Sequence, residues 1–118
     1  MPKYAKRVDG NHDQIRDTLR SIPGFVVEDT SKMGDGFPDL VVAGMHQSWH
    51  IPYVVLVELK TTRGKLNTKQ KEFHARWQGY PIYVVVNVST LLIDAFAWEE
   101  TQARSLDRID SAQETMER

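Results

Sequence analysis

The chain has 118 residues, a formal net charge of -1 at pH 7 and no cysteine. This length predicts a single domain with one modest core, and the near-neutral charge by itself neither indicates nor excludes a polyanionic partner. The absence of cysteine excludes disulfides, thiolate nucleophiles and thiolate zinc sites, and no apolar run is long enough to span a membrane. We therefore expect a cytoplasmic protein without a membrane partner.

The charges are distributed unevenly along the chain. Residues 1–98 hold twelve Lys and Arg against ten Asp and Glu, whereas residues 99–118 hold three against six. This change in charge predicts one folded domain over 1–98, followed by an acidic C-terminal tail or a loosely attached helix over 99–118.

The first part of the chain predicts one helix and three strands. Asn11 can cap a helix in which Ile15, Leu19 and Ile22 recur at spacings of four and three, and Pro23-Gly24 ends it. The predicted strands cover residues 25–28, 39–43 and 53–60, with a loop over 44–52 between the second and the third.

A second helix follows a polar, basic loop. Asn67 or Thr68 can cap this helix, and Gly79 closes it at the C′ position. Gln70 lies on the same face as two aromatic residues of the helix, which places a single amide among apolar groups. We expect this amide to have a specific partner.

The remaining elements complete the predicted fold. Residues 80–88 are apolar enough for a fourth strand buried on both faces, and Ser89 can cap a short helix over 90–98. Three successive strands, a crossover helix and a fourth strand predict an α/β fold, in which helices flank a mixed central sheet of about four strands.

Charged residues at strand ends indicate a site. The third predicted strand ends in Glu58-Leu59-Lys60, so Glu58 and Lys60 point to one face while Leu59 points to the other. Asp39 begins the second strand. Glu and Lys are seldom buried unless they are paired, so packing alone does not explain this ending, although a same-face ion pair on an edge strand is the alternative.

These residues resemble a known signature. Pro38-Asp39 followed by Glu58-Leu59-Lys60 is similar to the pattern of the PD-(D/E)xK nuclease superfamily. A larger set of segments more closely resembles the small stand-alone VRR-NUC nucleases, many of which are phage-encoded and related to Holliday-junction resolvases. The segments are Gly36-Phe37-Pro38-Asp39-Leu40, Val57-Glu58-Leu59-Lys60-Thr61, Gly64-Lys65-Leu66, Gln70 and Gly79.

The resemblance covers the chain from the first helix to the short helix. It implies a restriction-endonuclease-like core and a hydrolase acting on DNA phosphodiester bonds, an endonuclease or an exonuclease, with selectivity for branched or flapped DNA. It also implies a phage-encoded protein that acts inside a bacterial host.

The resemblance also implies a metal site and roles for its residues. Asp39, Glu58 and the Leu59 carbonyl would hold Mg2+ or Mn2+, because these hard cations prefer oxygen ligands. Lys60 would position the attacking water or help to deprotonate it, and Gln70 would support the site from the second helix.

The first helix departs from the family pattern. The family places an acid there, and the nearest residues in this chain are Asn11, Asp13 and Gln14, with no glutamate among them. This departure puts a second metal position in doubt. It also leaves open a catalytically weak or inactive nucleic-acid-binding module of the same fold.

Basic residues around the predicted site suggest a DNA-binding surface. Five basic residues and no acid occur between Lys60 and Lys71. The residues that we expect to meet phosphates are Lys32, Arg63, Lys65 and Lys69. An ordinary solvated face is the alternative.

Two further alternatives concern assembly. A protein-interaction subunit would use the acidic tail. A nuclease that cuts both strands at a branch needs two active sites, so we expect a twofold homodimer. Its interface would draw on residues 49–53 and on the short helix over 91–98.

Overall fold

The structure is a computed structural model, and it describes residues 11–107. Its elements in chain order are α1 (His12–Arg20), β1 (Val26–Asp29), β2 (Leu40–His46), β3 (Ile51–Leu59), α2 (Thr68–Arg76), β4 (Ile82–Val85) and α3 (Val88–Phe96). Residues 100–107 form a further helix, α4, at the end of the described range. The predicted tail beyond residue 107 lies outside the described residues.

The four strands form one mixed sheet in the order β1-β2-β3-β4. The first three strands pair antiparallel, while β3 and β4, which α2 connects, pair parallel. The predicted α/β class with a mixed sheet flanked by helices is confirmed. It is consistent with a restriction-endonuclease-like core.

The main core lies on one face of the sheet. Val42 and Val55 lie side by side on this face and are both buried, and α1 and α3 cover them. The apolar positions of α1 recur with helical spacing, so Ile15 and Leu19 both reach the core, as the sequence predicts. Burial of one such side chain contributes about 1.5–3 kcal/mol, and this face therefore supplies most of the packing energy.

The other face of the sheet receives α2. Leu56 and Glu58 alternate with the core residues of β3, so they point away from α1 and α3. Phe73 of α2 is buried on this side, and Gln70 of α2 contacts Glu58. The sheet thus separates the main core from the layer that contains the predicted site residues.

The hairpin between β2 and β3 is longer than predicted. The strands continue to His46 and from Ile51, so the predicted loop over 44–52 is wrong and shrinks to residues 47–50. His46 explains the difference, because its ring accepts a hydrogen bond from the Trp49 backbone N–H at 3.1 Å and stacks on the Trp49 ring.

The last strand and its following helix also differ from the prediction. β4 covers only Ile82–Val85, and Val84 is exposed, so this edge strand is not buried on both faces. Asn87, not Ser89, caps α3, since its side chain accepts the Thr90 backbone N–H at 2.9 Å. Asn is at least as favourable an N-cap as Ser, and Asn87 precedes Ser89 in the chain, so the helix begins directly after Asn87.

The C-terminal part of the described chain packs against the core. Ala103 of α4 is 0% exposed and Leu106 packs on the core, while α3 buries Leu91, Leu92 and Phe96 completely. The packed structure therefore continues past residue 98. The expected surplus of apolar surface on the short helix is wrong, because the protein's own core absorbs these residues.

Candidate active site

The topology of the sheet brings three carboxylates to the same end of its strands, which we call one edge of the sheet. Asp29 ends β1 and pairs with Leu40 at the start of β2, and Leu40 pairs in turn with Val57 near the end of β3. Asp39 and Glu58 are the chain neighbours of these paired residues. Antiparallel pairing therefore collects residues that are far apart in the sequence at one edge.

Asp39 is fixed by the backbone of β3. Its Oδ2 accepts a hydrogen bond from the Leu59 N–H at 2.9 Å, and its own carbonyl accepts one from the Thr30 N–H at 2.8 Å. A carboxylate held by a backbone donor makes a charge-assisted bond, which is stronger than a neutral one. Asp39 is thereby held against the peptide that lies between Glu58 and Lys60.

Glu58 lies inside the layer beneath α2. It is only 1% exposed, and its Oε2 accepts a hydrogen bond from Gln70 Nε2 at 2.9 Å. Lys60 Nζ lies 4.0 Å from the same oxygen. The predicted side-by-side placement of Glu58 and Lys60 is present, and Leu59 between them is buried in the main core. A buried carboxylate needs such donors and cations, because desolvation of an unpaired charge is costly.

Gln70 uses both ends of its amide. Its Nε2 donates to Glu58, while its Oε1 accepts the Asn67 N–H at 2.9 Å, and the Asn67 side chain accepts the Gln70 N–H at 2.9 Å. This reciprocal pair is a capping box, with Asn67 as the N-cap of α2. The amide that the sequence singled out therefore joins the start of α2 to the Glu58 carboxylate.

The turn before Asp39 is packed tightly on α2. Gly36 has φ of +81°, and a Cβ at this position would collide with the Lys69 carbonyl and the Gln70 nitrogen. Phe37 packs edge-to-face on Phe73 with ring centroids 5.2 Å apart. Only glycine tolerates both the backbone angle and the contact, so Gly36 sets the distance between the Asp39 turn and α2.

The four predicted DNA-binding residues are all exposed. Lys69 is on the first turn of α2, next to Gln70, and Lys32 is on the loop that Gly36 anchors to that turn. Arg63 and Lys65 flank Gly64, where an added Cβ would lie 3.1 Å from the Lys60 Cδ. The four cations therefore lie on segments that adjoin Gln70, Gly36 or Lys60 of the site.

The predicted helix-one residues have other partners. Asn11 donates from Nδ2 to the Val86 carbonyl at 2.8 Å, just beyond β4, and Asp13 is exposed and forms an ion pair with Arg16 at 3.2 Å. Gln14 is half-buried on α1. Within residues 11–107, no group of three or more His, Cys, Asp or Glu side chains is arranged to hold a metal ion.

The sequence reasoning missed an ionic cluster at the same edge. His12 is buried, its Nε2 lies 3.7 Å from Asp29 Oδ1, and Arg16 donates to Asp29 Oδ2 at 2.9 Å. Burial raises the pKa of Asp29, but hydrogen bonds from Ser31 and Arg16 outweigh that effect and lower it to about 2. The spacing of His12 and Arg16, four apart on one helical face, was the available signal.

The family model described as the VRR-NUC domain matches residues 6–90. No curated protein and no solved structure matched the chain. Among the described residues, no helix combines the length and apolar character needed to cross a membrane.

Proposed function

The chain belongs to the VRR-NUC domain family and is thus a nuclease-family domain; from this membership and the geometry of the site we propose a divalent-metal-dependent hydrolase of DNA phosphodiester bonds. One observation carries the proposal. The hydrogen bond from the Leu59 N–H to Asp39 Oδ2, at 2.9 Å, holds the Asp39 carboxylate against the backbone of Leu59, the residue between Glu58 and Lys60. Asp39 is thereby brought beside Glu58 and Lys60, from which it is about 20 residues distant in the sequence.

The donor set fits Mg2+ or Mn2+. Asp39, Glu58 and the Leu59 carbonyl would hold the ion, and Mg2+ is often bound through only one or two carboxylates while it keeps several waters. A site without a third protein carboxylate is therefore compatible with this ion. When bound, such an ion neutralises phosphate charge and lowers the pKa of a water.

The surrounding residues have roles that follow from their contacts. The Lys60 ammonium, beside Glu58 Oε2, can orient a water or a phosphate oxygen through its N–H groups. Gln70 holds the orientation of Glu58 through the bond at 2.9 Å. The exposed side chains of Lys32, Arg63 and Lys69 can bind the phosphates on either side of the cleaved bond.

The proposed substrate is branched or flapped DNA. Phosphate contacts made by lysine and arginine position a protein on DNA but carry no direct sequence information, which favours recognition by shape. For cleavage of both strands at a branch we propose a homodimer. Its interface would use the exposed Trp49 and Ile51 of the β2–β3 hairpin.

Single substitutions of the site residues test the proposal. We expect Asp39→Asn, Glu58→Gln and Lys60→Ala each to lower the Mn2+-dependent cleavage of a flapped duplex by about 10²-fold or more, because each group acts on the reacting phosphate or its ion. Asp39→Asn retains an oxygen acceptor for the Leu59 N–H, so folding should survive. Asp94→Asn, at an exposed acid on α3 and therefore on the opposite side of the sheet, is the matched control.

Mn2+ binding measured by calorimetry adds a readout that does not depend on turnover. Unchanged Mn2+ affinity in Asp39→Asn and Glu58→Gln, or wild-type cleavage by Lys60→Ala, would contradict the proposal. DNA binding without cleavage by the wild-type protein would instead favour the inactive binding module.

A further inference from the structure

A row of four aromatic rings leads away from the candidate active site. Phe37, two residues before Asp39, packs on Phe73 with centroids 5.2 Å apart. Phe73 is stacked with Trp77 at 5.7 Å and an interplanar angle of 5°, and Trp77 meets Tyr80 at 5.9 Å and 73°. We call Phe37, Phe73, Trp77 and Tyr80 the aromatic row.

The row begins inside the protein and ends in solvent. Phe73 is 6% exposed, Trp77 is 36% exposed and Tyr80 is 67% exposed. Phe73 therefore serves packing, as buried aromatic rings usually do. Packing does not account for Trp77 and Tyr80, because they leave large apolar surfaces in water next to each other.

The helix that carries the row also fixes the site. Gln70 binds the Glu58 carboxylate, and Phe73 and Trp77 follow it at positions three and seven residues on, which lie on the same face of α2. Trp77 lies seven residues along the chain from Gln70, about 10 Å at 1.5 Å per helical residue, and Tyr80 follows it. The exposed end of the row is therefore about two helical turns from the site, and the buried Phe73 lies between them.

The charge along the row suits an anionic ligand. The Arg76 guanidinium lies 5.2 Å from the centre of the Phe73 ring, and Lys69 and Lys71 are exposed on the same helix. Glu72 is the single acid of α2. Exposed aromatic rings among cations are the combination that binds unpaired nucleic acid, since bases stack on the rings and phosphates meet the cations.

We propose that Trp77 and Tyr80 stack on unpaired bases of a DNA strand that leaves the active site along α2. This inference rests on the proposed function, because it requires a DNA substrate. It assigns the selectivity for flapped or branched DNA to a specific surface. In an intact duplex the base faces are covered by their neighbours, so these two rings contribute to binding only where bases are unpaired.

Binding without metal tests this inference apart from cleavage. The probes are a fluorescent twelve-residue oligothymidylate and a blunt duplex of the same length. In Trp77→Leu/Tyr80→Leu we expect affinity for oligothymidylate to fall by roughly tenfold or more, the loss typical of base stacking, and duplex affinity to change less than about threefold. Leu retains apolar volume at both exposed positions. The matched control is Trp77→Phe/Tyr80→Phe, which keeps an aromatic ring at both positions and should retain the affinity for oligothymidylate.

Tryptophan fluorescence gives a second measurement. Oligothymidylate should quench the tryptophan emission of the wild-type protein, but should quench the emission of Trp77→Leu much less. Equal loss of affinity for both probes, or no loss for oligothymidylate, would overturn the inference. A fall from dimeric to monomeric mass in the double variant would also overturn it, by identifying the rings as a protein interface. Metal-dependent duplex cleavage that persists in either case would leave the proposed function standing.

Discussion

Replacement of Gln70 by Glu separates the two tasks of this side chain. Glu at the third position of a helix completes a capping box as well as Gln does, so the Asn67 N–H keeps its acceptor. At the other end, however, an oxygen replaces the Nε2 that donates to Glu58 Oε2 at 2.9 Å. Two carboxylates then face each other in a site where Glu58 is 1% exposed.

The loss of stability in Gln70→Glu equals the smaller of two free-energy costs: repulsion between two charged carboxylates, or protonation of one of them. Two full charges at this distance repel by about 6 kcal/mol at an effective dielectric constant of about 20. Protonation of one carboxylate at pH 7, from a reference pKa of about 4.3, costs about 3.7 kcal/mol and restores a donor. Protonation is cheaper, so we expect Gln70→Glu to lower the free energy of unfolding by about 3–4 kcal/mol at pH 7.

This cost must depend on pH in a definite direction. Proton uptake by the pair means that its folded-state pKa is raised above the unfolded value. The penalty is therefore nearly absent near pH 4 and grows by about 1.4 kcal/mol for each pH unit above it. Urea unfolding at pH 4.5 and 7, followed by circular dichroism without divalent ions, measures the difference.

Gln70→Ala provides the control, because it loses the cap and the donor without adding a charge. Its cost should be about 2–3 kcal/mol at pH 7 and should change less between the two pH values than the cost of Gln70→Glu, because only a hydrogen bond to the buried Glu58 carboxylate is lost. A Gln70→Glu protein that is equally stable relative to wild type at pH 4.5 and 7 would refute the reasoning, since it would mean that Glu58 carries no charge in the folded protein.

Four further predictions follow from other contacts. Asp29→Asn should lower the free energy of unfolding by about 1–2 kcal/mol at pH 7. Because folding lowers the pKa of Asp29 from 3.8 to about 2, the stabilisation by its carboxylate is present above pH 4 and is lost as the pH falls toward 2. Urea unfolding of wild type and variant at pH 7 and at pH 2 measures this loss. Gly36→Ala should destabilise the protein in thermal unfolding by at least about 1–2 kcal/mol more than Gly34→Ala does. Both glycines have φ of +81°, but a Cβ at Gly34 has no neighbour within 4 Å. Equal losses of stability would exclude a role for the contact between Gly36 and α2. Arg63→Ala, Lys65→Ala and Lys69→Ala should each flatten the slope of log affinity for DNA against log salt by roughly one, whereas Arg104→Ala on α4 should leave the slope unchanged. Light scattering at tens of micromolar should give twice the 13.6 kDa chain mass, and Trp49→Asp should return it to the monomer; a monomeric wild-type protein would remove the paired-cut mechanism.

The elements that the sequence predicted well are those with a strong local signal. Ile15 and Leu19 have the period of an amphipathic helix, and the apolar run that ends at Leu59 has the composition of a buried strand, so α1 and β3 lie close to where they are predicted. Asn67 combines a cap residue with a glutamine three positions on, which fixes the start of α2.

Specific side-chain contacts, some local and some long-range, decided the features that composition and periodicity did not predict. The stacking of His46 on Trp49 extends the hairpin, and Ala103 joins the core from a segment whose composition is that of a polar tail. The alignment of Glu58 with Lys60 could be predicted from strand alternation alone. The bond from Leu59 to Asp39, and the use of Gln70 by Glu58, depend on the register between elements that are 12–20 residues apart.

The contact between Gly36 and α2 has a consequence for substitutions on the surface of this helix. The turn before Asp39 meets the helix at backbone atoms, because a Cβ at Gly36 would collide with the Lys69 carbonyl and the Gln70 nitrogen. Substitutions at exposed positions of α2, such as Lys69 and Lys71, change side chains and leave this backbone contact in place. Under the proposed function, such substitutions would alter the surface that meets DNA without moving the turn that carries Asp39.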